Sequence, residues 1–377
     1  MLKLTRKIVL LLQISLVSAG LLSCLAAWKF DAILKQPLNL TQVKLLNVSV
    51  GATPTGTFNH LKNDGLLDSP FWLSLYWRLN LANQPLQCGE YRMIPGMTAK
   101  GLISLWQRGE VVQYSLTLVE GWNFNRVRLA LVKHEKIVQT LSGLSNSDVM
   151  EKLGHPGVFP EGRFFPDTYR FVRGMTDVEF LKKAYNRLDY ILAQEWSKRA
   201  ADASYADSYQ ALIMATLIEK ETSVPEERGQ IAGVFMRRMK IGMLLQADPT
   251  VIYGLGERYT GRLTRVHLKE ANPYNTYMVA GLPPTPIAMA GRKSIHAALN
   301  YVPSNHLYFV ARGDGSHIFS DDLNSHNAAV REFQLKRCTY YRSSPAPTVK
   351  SMQDTILSAD SAPAKQSTNF VPNTATP

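Results

Sequence analysis

One short stretch of the chain could carry acid–base chemistry. Residues 211–223 read ALIMATLIEKETS, whose apolar residues predict a mostly buried helix that ends in Glu219, Lys220 and Glu221. Pro225 limits how far this helix can continue. Small hydroxyl residues lie three or four positions from Glu219, on a stripe that a substrate could approach, whereas Glu221 faces elsewhere on the helix. A solvated Glu-Lys-Glu helix end is the alternative interpretation of the same pattern.

Two later stretches could supply polar contacts to a substrate. LQADPTVIYG begins at Leu245, and its Asp248-Pro249 pair predicts an N-cap followed by the first helical residue. Residues 272–286 read NPYNTYMVAGLPPTP, in which prolines fix a loop while amides and tyrosines could hydrogen-bond to sugars and stack on them. A rigid surface loop without a ligand remains an open alternative. The candidate substrate-binding residues are Gln246, Asp248, Tyr274, Asn275 and Tyr277.

Other common kinds of active site leave no signature in the sequence. There is no Walker-type phosphate loop, no G-x-S-x-G nucleophile elbow and no H-E-x-x-H motif. The eight histidines lack the spacing of metal ligands, and the three cysteines are not clustered. We therefore expect neither a metal nor any other cofactor.

The N-terminus predicts a single membrane-spanning helix. Residues 8–28 form an uncharged apolar run, long enough as a helix to cross a hydrocarbon core of about 30 Å. Lys3, Arg6 and Lys7 precede the run and only Lys29 follows closely. The positive-inside rule therefore places the N-terminus in the cytoplasm and the rest of the chain on the far side of the cytoplasmic (inner) membrane.

Three other interpretations of this apolar run are less consistent with its sequence. A cleaved signal peptide would have a shorter apolar core and a clear cleavage site, and Leu21 to Cys24 only faintly resembles a lipoprotein site. Both of these would still place the body of the protein beyond the membrane. A buried core helix is disfavoured because nothing so apolar recurs in the chain.

The formal charge of +12 favours an anionic neighbour. Export across the membrane disfavours nucleic acid as that neighbour and leaves anionic lipid or cell-wall polymer. In an oxidising compartment Cys88 and Cys338 could form a disulfide, although an apparent domain boundary separates them.

The composition and periodicity of the chain predict an α+β protein in four parts. These are the N-terminus and membrane helix (1–28), a linker with a small strand-and-helix domain (29–112), a larger mixed domain (113–338) and a disordered tail (339–377). Within these parts we predict a strand over Val43–Val48, a helix from Thr98 to Gly109, a strand over 112–118, a helix from the Thr176/Glu179 capping box, and helices near 207–223 and 226–240.

Several motifs in order resemble one known family. From about residue 40 to about 335 the chain is similar to the YceG-like (MltG) family of endolytic murein transglycosylases. The similarity rests on Gly89/Tyr91/Pro95-Gly96/Thr98, Glu120-Gly121-Trp122, Phe164-Phe165-Pro166-Asp167-Thr168-Tyr169, Glu219-Lys220-Glu221-Thr222, LQADPTVIYG, Tyr274-Asn275-Thr276-Tyr277, Gly281-Leu282-Pro283-Pro284, Leu307-Tyr308-Phe309-Val310 and His317-Ile318-Phe319.

The resemblance implies a membrane-anchored enzyme with a small LysM-like subdomain ahead of the catalytic domain. It implies cleavage of nascent peptidoglycan strands beside the synthases of the elongation machinery, and it assigns the catalytic glutamate to Glu219. The chain departs from the family at Asn123, where Ser or Thr is usual, and at Thr285, where Gly is common.

The chemistry of lytic cleavage needs one carboxylate. The muramyl O6 attacks its own anomeric carbon and leaves a 1,6-anhydro end, so no protein nucleophile or activated water is required. Glu219 would first protonate the leaving oxygen and then take the proton from O6. Desolvation by Leu217 and Ile218 would keep it protonated, provided that Lys220 points away.

Two alternatives to a lytic enzyme are compatible with the sequence. A hydrolase could pair Glu219 with Glu161 or Asp167, which are the other carboxylates in matching motifs. A non-catalytic, membrane-anchored glycan-binding scaffold of the cell-wall synthesis machinery is an alternative of a different class.

Overall fold

The computed structural model describes residues 2–335, with side chains from 12 to 334. The tail predicted for 339–377 and Cys338 lie outside these residues, while Cys88 is exposed and unpaired within them. The helices are α1 (Leu2–Lys35), α2 (Pro54–Asn63), α3 (Pro70–Asn80), α4 (Ala99–Arg108), α5 (Phe124–Lys133), α6 (Asn146–Leu153), α7 (Asp177–Ser197), α8 (Ser208–Glu221), α9 (Arg228–Lys240), α10 (Asp248–Leu255), α11 (Arg265–Lys269), α12 (Arg292–Leu299) and α13 (Leu323–Val330).

The strands in the described part of the chain form three antiparallel pairs. These are β1 (Lys44–Val48) with β2 (Gly89–Met93), β3 (Gln113–Thr117) with β4 (Thr168–Val172), and β5 (Tyr308–Ala311) with β6 (His317–Ser320). Helices and short antiparallel ribbons together confirm the predicted α+β class.

The chain folds as two compact units. Within the described residues, the first comprises 2–198, 206–216 and 285–295, and the second comprises 199–205, 217–284 and 296–335. The predicted boundary between residues 112 and 113 falls inside the first unit and stays a prediction.

α1 is long and apolar enough to cross a membrane between Leu12 and Lys35, and its side chains there are largely exposed. The sequence predicts a linker from residue 29, and this is wrong for the first residues after the apolar run. The helix continues to Lys35 because Ile33 and Leu34 pack into the core of the small domain that follows.

A strand–helix–helix–strand arrangement follows α1. β1 pairs with β2, and α2 and α3 lie between them in the chain. The core contains Phe58 and Trp106, whose ring centroids are 5.2 Å apart. The predicted caps of α4 are confirmed, since Thr98 Oγ1 accepts the amide N–H of Gly101 and Gly109 ends the helix with φ 62 in the left-handed region.

The second core of the first unit lies around α7 and the β3–β4 pair. The predicted capping box at Thr176 and Glu179 opens α7, which buries Phe180, Leu181 and Ala184. Asn123 stands where Ser or Thr is usual in the similar family. Its side chain accepts the Arg126 N–H, so it caps the N-terminus of α5 as Ser or Thr would.

A buried carboxylate on β2 ties the small domain to the β3–β4 pair. Glu90 accepts a hydrogen bond from Tyr114 of β3 and forms an ion pair with Arg173, which follows β4. Burial alone would raise the pKa of Glu90, but these two hydrogen bonds and the charges of Arg173 and Lys136 lower it below its ordinary value.

We predict that Glu90→Gln destabilises the protein near neutral pH by about 1.5–3 kcal/mol, since it removes hydrogen bonds to a buried charged group. Because the pKa of Glu90 is lower in the folded chain, the wild-type advantage is complete above the ordinary glutamate pKa of about 4.3. It is lost as the pH falls through the folded value. Thermal unfolding of both proteins from pH 7 to pH 3 measures the difference.

Glu110→Gln is the matched control, because Glu110 forms an exposed ion pair with Arg108. Equal losses of stability for the two variants at neutral pH would contradict a special role for Glu90.

Candidate active site

α8 brings the predicted carboxylates to the end of a buried helix. Every residue from Ala211 to Ile218 is buried, which confirms the helix predicted from this segment. The helix ends at Glu221, and Thr222 Oγ1 then accepts the Val224 N–H at 3.0 Å. The chain therefore turns sharply just after the two glutamates.

Glu219 lies in a buried ion pair. Its Oε1 is 3.4 Å from Nη2 of Arg228, the first residue of α9, and the two side chains are 6% and 8% exposed. The sequence predicts an apolar pocket without a nearby cation around Glu219, and the structure instead places Arg228 there. Lys220 is exposed.

Glu221 interacts with a second group of residues. Burial raises the pKa of Glu221 to about 8, the nearby negative charge of Asp248 adds to this, and Arg238 opposes it. A carboxyl group in this state is largely protonated at neutral pH and can donate a proton. The expected rotation of about 200° between the two glutamates thus places them in different electrostatic surroundings.

Asp248 and Tyr277 form a hydrogen-bonded pair beside Glu221. Tyr277 Oη donates to Asp248 Oδ1 at 2.6 Å, and burial together with this contact raises the pKa of Tyr277. The predicted N-cap role of Asp248 is wrong, because Ala247 is the N-cap of α10 and Asp248 is its first helical residue. The carboxylate is engaged by Tyr277 across the loop.

The loop before α10 is held by Arg238. Its Nη1 donates to the carbonyl oxygens of Leu244 and Leu245 at 3.2 and 2.9 Å and approaches Gln246 Oε1 at 3.5 Å. Gln246 has φ 50, and no other non-glycine residue in the described chain has a positive φ. Such a conformation costs about 1–2 kcal/mol in an L-residue, so the surrounding contacts hold Gln246 in a strained position.

Asn275 stabilises the loop from within. It is 1% exposed, its Nδ2 donates to the carbonyl oxygens of His267, Leu268 and Glu270, and its Oδ1 accepts the Tyr277 N–H. Because it is buried, the Asn275 side chain is not accessible to a substrate in this conformation. Tyr274 is half-buried and packs its ring 4.9 Å from that of Tyr253.

Of the residues predicted to bind substrate, Gln246, Asp248 and Tyr277 thus belong to the connected group that includes Glu221 and Arg238. The sequence does not predict that Glu221 and Arg238 join this group, since Glu221 is expected to face away from the substrate stripe and Arg238 lies in a helix whose apolar stripe predicts only a core element. The sequence contains one indication of this arrangement. Glu219 and Glu221 lie about 200° apart around the helix axis, so only one of them can face a given surface.

The other two candidate carboxylates belong to the first unit. Glu161 is 5% exposed and accepts the Phe124 N–H at 2.9 Å, and Asp167 accepts the N–H of Thr168 at 2.8 Å. Both therefore have local structural contacts. Between residues 2 and 335 no cluster of three or more His, Cys, Asp or Glu side chains could hold a metal ion.

A family model matches most of the chain. The model, described as the YceG-like family, covers residues 46–332. The chain is also similar to a crystal structure of a YceG-like protein from Listeria monocytogenes, with 26% identity and a TM-score of 0.50, over 77% of this chain and 99% of that one.

Two curated relatives carry the name endolytic murein transglycosylase. One, from Bacillus subtilis, is 28% identical in an alignment of 329 residues that covers 81% of this chain and 90% of the relative. The other, from Streptococcus pneumoniae, is 23% identical over 343 residues, and the match spans only 60% of that longer protein.

Proposed function

Since this chain belongs to the YceG-like family, we propose that it is an endolytic murein transglycosylase, a lyase that cleaves the glycan strands of peptidoglycan. The observation that carries the proposal is the carboxyl group of Glu221 at the end of α8, whose pKa is raised to about 8 by burial and by the charge of Asp248, itself hydrogen-bonded to Tyr277. One proton donor of this kind, next to polar groups that can bind sugar hydroxyls and amides, suffices for lytic cleavage.

The reaction breaks the bond between N-acetylmuramic acid and N-acetylglucosamine without water. The carboxyl group donates its proton to the glycosidic oxygen as the bond to the anomeric carbon breaks. The muramyl O6 then forms a bond to that carbon and returns its proton to the carboxylate. The products are a free N-acetylglucosamine end and a 1,6-anhydro-N-acetylmuramic acid end.

We assign the proton transfers to Glu221. An acid that works near neutral pH needs a pKa close to the working pH, and burial beside Asp248 provides this for Glu221. The sequence prediction assigns the same role to Glu219. The ion pair between Glu219 and Arg228 is typical of a structural contact that holds the end of α8 against α9. The variants Glu221→Gln and Glu219→Gln distinguish the two assignments.

The surroundings of the acid suggest how substrate would be held. Tyr277 lies beside Asp248 and Gln246 beside Arg238, both neighbours that act on Glu221, and Asp248 can accept hydrogen bonds from sugar hydroxyls. Tyr274 adds an aromatic face on the same loop. Asn275 would act by keeping this loop rigid.

The rest of the chain would place this site at the cell wall. α1 spans the cytoplasmic membrane once with the N-terminus inside, which is supported by its length and by the basic residues before it. The strand–helix–helix–strand order of β1, α2, α3 and β2 supports a LysM-like subdomain that binds glycan. Synthases of the elongation machinery are the proposed protein partners.

The test of the reaction type is product analysis in water labelled with oxygen-18. We predict that the full-length protein in detergent converts purified glycan strands to anhydro-ended fragments without incorporating the label. A hydrolase that uses Glu161 or Asp167 as a second carboxylate would instead label the new reducing ends. Binding of the strands without any change in their length would support the non-catalytic scaffold.

For the acid itself, we predict that Glu221→Gln slows formation of anhydro ends by about 10²–10⁴-fold, the usual contribution of a general acid–base group. Its folded state should be kept, since the amide resembles the neutral carboxyl group. Glu219→Gln breaks a buried ion pair and should lower stability by about 3–5 kcal/mol.

Glu226→Gln, at an exposed glutamate in the following turn, is the matched control. Each variant is assayed below its melting temperature. If Glu221→Gln kept wild-type activity while a folded Glu219→Gln lost it, the assignment would pass to Glu219.

The pH dependence gives an independent prediction. Glu221 acts as an acid only while protonated, so activity should fall as the pH rises through about 8. Asp248→Asn removes a negative charge that raises the pKa of Glu221, and the alkaline limb of the pH–rate profile should therefore move to lower pH. An unchanged limb in this variant would mean that another group controls it.

A further inference from the structure

α3 is apolar on nearly its whole circumference. Its sequence is PFWLSLYWRLN, and its polar residues are Ser74, Arg78 and Asn80. Helices of this composition are normally enclosed by protein or lipid. One face is enclosed by protein, since Leu73 and Trp77 are 1% and 6% exposed in the core of the small domain.

A second face of α3 packs on the end of the membrane helix. The rings of Trp72 and Tyr76 each lie 5.9 Å from that of Phe30 in α1. Phe30 is two residues beyond Trp28, where the apolar run ends, which is a rise of about 3 Å along a helix. If α1 spans the membrane as proposed above, this cluster lies at the depth where aromatic residues concentrate at the bilayer surface.

The third face is apolar and open. Phe71, Leu75 and Leu79 follow one another at intervals of four and form one stripe, which we call the α3 stripe. Phe71 and Leu79 are 68% and 66% exposed, and Leu75 is half-buried. Phe71 also contacts Trp72 at 5.5 Å, so the stripe is continuous with the cluster on α1.

The polar side chains of α3 are suited to a medium of low polarity. Ser74 Oγ donates to the carbonyl oxygen of Pro70 and Asn80 Nδ2 to that of Tyr76, so both satisfy donors within their own helix. Arg78 is exposed and lies three positions after Leu75, at the edge of the stripe. A cation there can reach the phosphate groups of lipids while its stem covers apolar surface.

We propose that the α3 stripe lies in the surface of the phospholipid bilayer, with Phe71 and Leu79 inserted and Arg78 at the level of the headgroups. Lipid is the favoured occupant because the stripe adjoins the membrane helix through Phe30 and Trp72. α1 enters the small domain without a linker and α3 rests on the membrane beside it. The domain would then have a fixed orientation relative to the bilayer, as an interfacial helix provides.

Spin labelling of the full-length protein in phospholipid vesicles tests this proposal, which rests on the proposed membrane span. The native cysteines are replaced by serine, and a nitroxide is attached to Phe71→Cys, Leu75→Cys or Leu79→Cys in turn. Leu16→Cys in α1 is the control for insertion, and Lys62→Cys on the exposed side of α2 is the control for water. Collision rates with oxygen and with a water-soluble nickel complex are compared at each site.

We expect positions 71, 75 and 79 to shift toward position 16, with oxygen collisions favoured and nickel collisions suppressed. If they matched position 62 while position 16 remained in lipid, the proposal would fail and the membrane span would stand. If position 16 also faced water, the span itself would fail, and the proposal with it. Protection from both reagents at the α3 stripe would show a protein contact, such as a second copy, and would also overturn it.

Discussion

The candidate site depends on how two buried carboxylates are compensated. A carboxylate removed from water must acquire a cation or a proton, because the uncompensated charge costs several kcal/mol. At the end of α8 the two solutions occur two residues apart. Glu219 has the guanidinium of Arg228, whereas burial and the negative charge of Asp248 raise the pKa of Glu221 to about 8, which favours its neutral form. The first solution stabilises the helix end, and the second makes a proton available for chemistry.

Arg238 organises the surroundings of the protonated acid. Its Nη1 donates to two backbone carbonyl groups of the loop before α10, next to Gln246 with its positive φ, and its Nε donates to the carbonyl oxygen of Leu307. Burial and the negative charge of Asp248 raise the pKa of Glu221 more than the positive charge of Arg238 lowers it. The buried guanidinium of Arg238 and the strained backbone of Gln246 thus accompany a single conformation of the loop before α10.

Two further contacts join parts of the first unit to one another. Ile33 in the last turn of α1 belongs to the core of the small domain, and Glu90 ties that domain to the β3–β4 pair through Tyr114 and Arg173. If α1 spans a membrane as proposed, its direct entry into this core would transmit the orientation of the bilayer to the domain. For an enzyme acting on strands built at the membrane, such an orientation would limit which bonds come within reach.

Local patterns in the sequence determined the elements and the family. The apolar run of α1, the caps at Thr98 and Thr176 and the buried α8 follow from periodicity and capping, which act over a few residues. Only the tertiary structure decided which partner each polar side chain contacts. Whether Glu219 or Glu221 faces a cation, and whether Asp248 caps a helix or accepts Tyr277, depends on residues far apart in the chain, and pKa values are set by such neighbours and by burial.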